Sequence, residues 1–182
     1  RFPADVAEIA LRVIHACGMV EIADRLAYSP DVAASAKAAL CAGARIYTDC
    51  EMVAAGITRR LLPGTDIRCT LNDPRVPALA EARATTRSAA ATTLWDTEGA
   101  VVAIGNAPTA LFALMERIDD GAPPPAAILA FPVGFVGAAE SKAELAGRPR
   151  APFLTLRGRR GGSAMASAAV NALGILAAGG MQ

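Results

Sequence analysis

The strongest constraint on the fold of this chain is an order of strand, glycine loop and helix that occurs three times. In the clearest copy, the apolar residues 126–130 lead into a loop with Gly134 and Gly137, and a helical pattern follows over residues 138–146. The same order is found around residues 105–109 and 157–163. Glycine has no Cβ, so the backbone can take a positive φ and come close to a bound molecule. The three loops therefore predict one shared pocket.

The rest of the chain continues this alternation of strands and helices. Apolar runs at residues 44–48, 67–71, 101–104, 126–130 and 153–156 predict strands, and a helical pattern follows each of them, including one long helical stretch over residues 72–95. The runs lack the polar alternation of a half-solvated sheet, which favours a parallel sheet covered on both faces. We expect an α/β fold with a doubly wound, five-stranded, mainly parallel sheet and helices on both faces.

Nothing in the sequence divides the chain into parts. It has no internal repeat, low-complexity tract or linker, and a chain of 182 residues can bury roughly 70% of the surface that it exposes when unfolded. We therefore expect a single domain over residues 1–182. Ligands of such sheets bind outside the carboxyl ends of the strands, where the strand order reverses. Polar residues just after the predicted strands are thus the candidate site residues.

Charge and cysteine content exclude several kinds of partner. A net charge of +1 gives no electrostatic surface for nucleic acid or for an anionic membrane. Four cysteines without a Cys-x-x-Cys pair, together with a single histidine, do not make a zinc site. We interpret them as buried, reduced thiols and expect a cytoplasmic protein with no secretory leader and no membrane span.

His15, the only histidine of the chain, is the leading candidate for proton transfer. The first helix is predicted to begin at Pro3 and to end at Gly18, with Val6 and Ile9 on its buried face. On a helical wheel His15 projects from roughly the opposite side. Imidazole can give or take a proton near neutrality because its unperturbed pKa lies there. A solvent-exposed histidine without a role remains the alternative.

Other motifs allow a functional and a plain interpretation. The glycine loops could hold a phosphate at helix N-termini, but none has the Gly-x-Gly-x-x-Gly or P-loop spacing, and tight turns explain them equally well. Asp49 and Glu51 form the nearest carboxylate pair, which helix capping explains without catalysis. Ser141 has no second histidine or other base for a hydrolase triad. Several arginines near strand ends suit a polycarboxylate ligand, because the planar guanidinium group binds a carboxylate at two points. Arg87, which lies in a stretch poor in other charges, is the strongest candidate for ligand binding. The full set is Arg75, Arg83, Arg87, Arg157, Arg159 and Arg160.

The chain resembles the precorrin-8X methylmutases (precorrin isomerases) of cobalamin biosynthesis. The resemblance covers essentially the whole chain and is most specific in the run from Pro132 to Lys142; the other segments that carry it are residues 14–18, 49–53, 73–75, 86–90, 103–110 and 157–163. It implies an isomerase that moves a methyl group from C-11 to C-12 of precorrin-8X and gives hydrogenobyrinate. It further implies a homodimer without a metal or redox cofactor. Members of the family also have an N-terminal segment ahead of the first helix, which contributes to the pocket. We do not expect that segment within this chain, which begins at Arg1.

The resemblance places the catalytic histidine at His15. A methyl shift of this kind needs a proton placed on, or drawn from, the macrocycle rather than a nucleophile, so His15 is expected to act as a general acid or base. The strand ends and the resemblance together predict the substrate-binding residues Glu51, Thr86, Arg87, Ser88, Asn106, Thr109, Gly134 and Ser141. Two alternatives stay open: a non-catalytic corrinoid carrier, and a phosphate- or nucleotide-binding α/β module.

Overall fold

The computed structural model describes residues 2–179 and shows one mixed sheet with helices on both faces. The strands are β1 (Leu26–Tyr28), β2 (Ile46–Thr48), β3 (Ile67–Cys69), β4 (Val101–Ile104), β5 (Ala127–Ala130) and β6 (Phe153–Leu156). The α-helices are α1 (Ala4–Cys17), α2 (Val32–Cys41), α3 (Glu51–Gly56), α4 (Val76–Ala82), α5 (Arg87–Thr92), α6 (Pro108–Asp119), α7 (Ala138–Gly147) and α8 (Ser163–Ala177). Short 3₁₀ helices occupy Val20–Arg25 and Arg59–Leu61.

The sheet has the order β1-β6-β5-β4-β2-β3, and its strands are parallel except β1, which pairs antiparallel with β6. The predicted α/β fold with a mainly parallel, doubly wound sheet is therefore confirmed. The predicted count of five strands is wrong, because β1 is not recognisable from the sequence pattern. That strand has three residues and directly follows a 3₁₀ helix, so it is too short to show a period of its own.

Successive residues of the central strands pack into two separate cores. In β4, Val101 and Ala103 face the core under α1, α2, α3 and α8, whereas Val102 and Ile104 face the core under α6 and α7. All four side chains are fully buried. Because the side chains of a strand alternate between its faces, apolar residues at consecutive positions require helices on both sides.

The long helix expected over residues 72–95 is also wrong, since two short helices occupy this stretch. The chain leaves α4 through Ala84, which has a left-handed φ of 48°. Thr86 then begins α5, because its hydroxyl oxygen accepts the N–H of Ala89 at 3.2 Å. The break puts Thr86 and Arg87 at the start of a helix instead of within one.

Candidate active site

The three glycine loops meet at the carboxyl edge of the sheet, as the sequence predicts. The Asn106 carbonyl, after β4, accepts the N–H of Val133 in the loop between β5 and α7 at 3.3 Å. In that loop Gly134 donates its N–H to the carbonyl of Arg159, after β6, also at 3.3 Å. Backbone hydrogen bonds therefore join all three loops into one rim, which we call the loop rim (residues 105–109, 131–137 and 157–162).

Gly161 shows how tightly the loop rim is packed. A Cβ on this residue would lie 2.3 Å from the carbonyl oxygen of Phe131 and 2.6 Å from that of Pro132. The next residue, Gly162, donates its N–H to the same Phe131 oxygen at 2.8 Å and has a φ of 127°. Only glycine fits here, because backbone atoms occupy the space of a side chain.

Asp49 organises the point where the strand order reverses, between β2 and β4. Its carboxylate is 2% exposed and accepts three backbone N–H groups, from Gly105 at 2.8 Å, Asn106 at 2.9 Å and Ala107 at 2.7 Å. Burial raises the pKa of the Asp49 carboxyl, and the three amide donors act in the opposite direction. The structural interpretation of Asp49 thus holds, but the carboxylate caps the loop after β4 and makes no capping hydrogen bond to α3.

The hydrogen bonds of Asp49 to backbone amides argue against a phosphate-binding site at the loop after β4. A phosphate cradle needs free N–H groups in a loop at a helix N-terminus. At the β4–α6 loop those of Gly105, Asn106 and Ala107 already bind Asp49. An internal carboxylate therefore takes the place that a bound phosphate would need at this loop.

Four of the predicted binding residues are linked by hydrogen bonds, two of them directly and two through a third residue. The hydroxyl group of Thr86 donates to that of Thr109 at 2.8 Å. Arg87 donates to the side-chain oxygen of Asn72 at 3.2 Å, and the Asn72 amide donates to Glu51 at 3.3 Å. Asn72 thus bridges Arg87 and Glu51, although the sequence pattern placed it only at the start of a helical stretch.

A cleft of about 570 Å³ opens beside this group. It is lined by Tyr47, Glu51, Cys69, Asn72, Asp73 and Arg75 among others. Burial, with the Glu51 carboxylate nearby, raises the pKa of the Cys69 thiol to about 11. The Arg75 guanidinium, which binds Asp73 at 2.8 Å, lowers the pKa of that carboxyl to about 2. Near neutral pH Cys69 is therefore a thiol and Asp73 is paired, so neither is available as a nucleophile or a base.

Arg87 differs from the paired arginines in the charge of its partners. Within residues 2–179 its guanidinium contacts neutral oxygens, the Leu71 carbonyl at 3.3 Å and the Asn72 amide. Arg75 and Arg160 instead pair with carboxylates. The positive charge of Arg87 is therefore not neutralised. Arg87 is also exposed, so a ligand can reach it.

His15 lies in the last turn of α1 and is exposed, on the side opposite the fully buried Val6 and Ile9, as the helical wheel predicts. The chain just after this helix reaches the loop rim, because Arg160 donates to Glu21 at 2.8 Å and contacts the Met19 sulfur at 3.5 Å. The main clefts in the described part of the chain do not include His15 in their lining. The imidazole is thus exposed, on a helix whose following segment contacts the rim.

Exposed apolar side chains surround the same edge. Phe135 and Val136, at the tip of the β5–α7 loop, are 86% and 88% exposed. Met52, in the first turn of α3, is 72% exposed. The Arg159 guanidinium lies over the Phe135 ring, 5.6 Å from its centroid. The rim therefore combines apolar area with positive charge.

The remaining predicted residues have different positions. Gly134 lies in the loop rim, and Ser88 is half-buried in the first turn of α5. Ser141 is fully buried, and its hydroxyl donates to the Ala138 carbonyl of its own helix. Ser141 is therefore unavailable for contact with a ligand. Of the cysteines, all free, only Cys50 is buried, so the expectation of four buried thiols is wrong.

Comparisons with known proteins identify the family. A family model described as precorrin-8X methylmutase matches residues 1–176. The precorrin-8X methylmutase of Pseudomonas aeruginosa is 59% identical over 175 residues, which cover 94% of this chain and 84% of that protein. The cobalt-precorrin-8 methylmutase of Salmonella typhimurium is 40% identical over 179 residues, 95% of this chain and 83% of that protein.

A solved structure agrees with the sequence relatives. The crystal structure of the precorrin-8X methylmutase from Thermus thermophilus superposes with a TM-score of 0.89 at 38% identity, and the match covers 100% of this chain and 89% of that one. Within residues 2–179, no helix is both long and apolar enough to cross a membrane. The chain belongs to the precorrin-8X methylmutase family and is an isomerase of cobalamin biosynthesis that moves a methyl group from C-11 to C-12 of its substrate.

Proposed function

We propose that His15 is the general acid of this isomerase and transfers its proton to a ring atom of precorrin-8X. The observation that carries the proposal is the position of the only imidazole, exposed in the last turn of α1, whose following segment contacts the loop rim. A proton on the macrocycle draws electrons toward that atom and makes the migration of the methyl group easier. General acid catalysis of this kind is worth about 10²–10⁴ in rate.

Substitution of His15 tests this role. His15→Gln is expected to lower kcat by about 10²–10⁴ and to leave the affinity for hydrogenobyrinate within a few-fold of wild type. The conversion of precorrin-8X is followed by the absorption spectrum of the product. Glu8→Gln, two turns earlier on the same helix, is the matched control and should turn over normally. Near-normal turnover by His15→Gln would refute the role, and a wild-type protein that binds without converting would instead be a corrinoid carrier.

The carboxylate arms of the macrocycle are proposed to bind at Arg87. Its guanidinium has neutral partners within residues 2–179, so a substrate carboxylate can supply the missing negative charge. Thr86 and Thr109 offer hydroxyl groups beside it, and Ser88, Asn106, Glu51 and Gly134 complete the proposed contacts. We expect Arg87→Met to raise KM about tenfold or more, whereas Arg75→Met, which loses an arginine already paired with Asp73, should change KM little.

The substrate is proposed to be the metal-free macrocycle. This chain is 59% identical to a protein named for precorrin-8X and 40% identical to one named for cobalt-precorrin-8. Parallel assays of kcat/KM with the two macrocycles decide between them. A higher value for the cobalt form would contradict the proposal.

A homodimer that acts in the cytoplasm completes the proposal. His15 is exposed, and Phe135 and Val136 expose large apolar side chains on the rim, which supports a second copy that covers the rim. The free cysteines support a reducing compartment. Sedimentation should give twice the chain mass for wild type and a shift to monomer for Val136→Asp. A wild-type monomer with full activity would contradict the dimer.

A further inference from the structure

Lys142 is a buried cation in α7 without an anionic partner. Its side chain is fully buried, and within residues 2–179 no carboxylate forms an ion pair with it. Burial lowers the pKa of the ammonium group to about 8. A buried charge without a counter-charge destabilises a fold, and an apolar chain of similar length, such as Met, would fill the space without that cost. The ammonium group must therefore be retained for a contact.

That contact is a hydrogen bond to the loop rim. Lys142 donates from Nζ to the backbone carbonyl of Arg160, in the loop between β6 and α8. Backbone hydrogen bonds already hold this loop at two points, the Arg159 carbonyl and the Gly162 N–H, and the Arg160 carbonyl between them becomes a third. A charge-assisted bond from a helix provides such a fixed point.

The fixed carbonyl belongs to the second of two neighbouring arginines, and the side chains of both make contacts at the rim. Arg159 stacks on the exposed Phe135 ring, and Arg160 binds Glu21 in the segment that follows α1. A shift of the loop backbone would move the Arg159 charge and loosen the contact to the segment that follows α1, the helix that carries His15. Lys142 therefore controls the geometry of groups that it does not touch.

We infer that Lys142 is a positioning residue of the isomerase, whose buried ammonium group holds the Arg160 carbonyl and so fixes Arg159 and the contact of Arg160 with the segment after α1 for binding of the tetrapyrrole. The inference rests on the proposed function, because it assumes that the ligand occupies this part of the rim. It predicts that loss of the ammonium group weakens binding more than it slows the chemical step.

The test compares Lys142→Met with Lys37→Met. Lys37, exposed on α2, is the only other lysine of the chain, so it is a matched control. In Lys142→Met we expect faster amide hydrogen exchange over residues 157–162, and a KM for precorrin-8X and a Kd for hydrogenobyrinate raised about tenfold, with kcat changed less than threefold. A purely structural role would lower the amount of active enzyme and leave KM and Kd unchanged.

Three results separate the possible failures. Unchanged loop exchange, or unchanged KM and Kd in a folded Lys142→Met protein, overturns the inference and leaves the role of His15 intact. If wild type does not convert precorrin-8X, the proposed function fails, and the exchange and product-binding measurements still decide the role of Lys142. If Lys142→Met does not fold, ¹⁵N-lysine NMR of wild type decides: a Lys142 Nζ signal that shifts with hydrogenobyrinate supports the inference, and a fixed signal overturns it.

Discussion

Replacement of Asp49 by alanine should destabilise the fold through the loop after β4. The substitution removes the acceptor of three N–H groups, of which those of Gly105 and Ala107 belong to buried residues, whereas Asn106 is exposed and can use water. A buried donor without an acceptor costs about 1–3 kcal/mol. Two unsatisfied N–H groups lower the stability of the fold by about 4 kcal/mol together. The alanine variant no longer buries a carboxylate, which offsets part of that loss. We expect a net loss of about 3 kcal/mol.

Asp49→Asn should fall between alanine and wild type. An amide oxygen in the position that serves Asn106 and Ala107 keeps two hydrogen bonds, while the NH₂ group faces the N–H of Gly105. One buried donor is then unsatisfied, which costs about 1–2 kcal/mol. The expected order of stability is wild type, then asparagine, then alanine.

Thermal and urea unfolding measure this order. Trp95 is the only tryptophan and is 3% exposed, so its fluorescence reports global unfolding. A loss of about 3 kcal/mol lowers the Tm of a chain of this size by about 6–12 °C. Asp73→Ala, which removes a carboxylate paired with an exposed arginine, is the control and should leave Tm near wild type. If Asp49→Ala unfolds like this control, with unchanged amide exchange over residues 105–107, the carboxylate does not hold the loop.

The pKa of Lys142 is about 8 in the fold against an ordinary value of 10.5, so the unfolded chain binds more protons between these values. The free energy of unfolding of wild type, relative to Lys142→Met, should therefore rise by up to about 3 kcal/mol from pH 8 to 10.5 in urea titrations, and a flat difference would contradict the shifted pKa. Gly161→Ala places a Cβ against the backbone of Phe131 and should cost at least about 2 kcal/mol by calorimetry, whereas Gly147→Ala, with open space around it, should be neutral. Thr86→Val removes the cap of α5 and should cost about 1 kcal/mol in the same assay; an unchanged Tm would show that the cap is dispensable.

The sequence predicts those parts of the fold that depend on local pattern. Strands β4, β5 and β6 are buried on both faces and appear as apolar runs, with Thr155 of β6 the one polar residue in them. The exposure of His15 follows from the 3.6-residue period of α1, because that period alone separates its buried side from its open side. The meeting of the glycine loops follows from the rule that parallel strands end at one edge.

Features that depend on distant partners could not be predicted. Asp49 precedes α3 in sequence and looks like its cap, but its acceptor oxygens bind amides more than fifty residues later. Asn72 resembles any turn residue until the fold brings Arg87 and Glu51 to it. The break before α5 depends on one residue, Ala84, in a conformation that its side chain does not favour.

The use of backbone amides at the rim determines what kind of ligand the rim can select. The N–H groups of Gly105, Gly134 and Gly162 bind Asp49, the Arg159 carbonyl and the Phe131 carbonyl. A ligand at this edge must therefore be recognised chiefly by side chains. The side chains that offer an unneutralised charge or an exposed ring are spread along the edge, from Arg87 to Arg159 and Phe135. Spread charges favour a wide ligand with several carboxylates over a small one with a single phosphate, because only the wide ligand can reach them together.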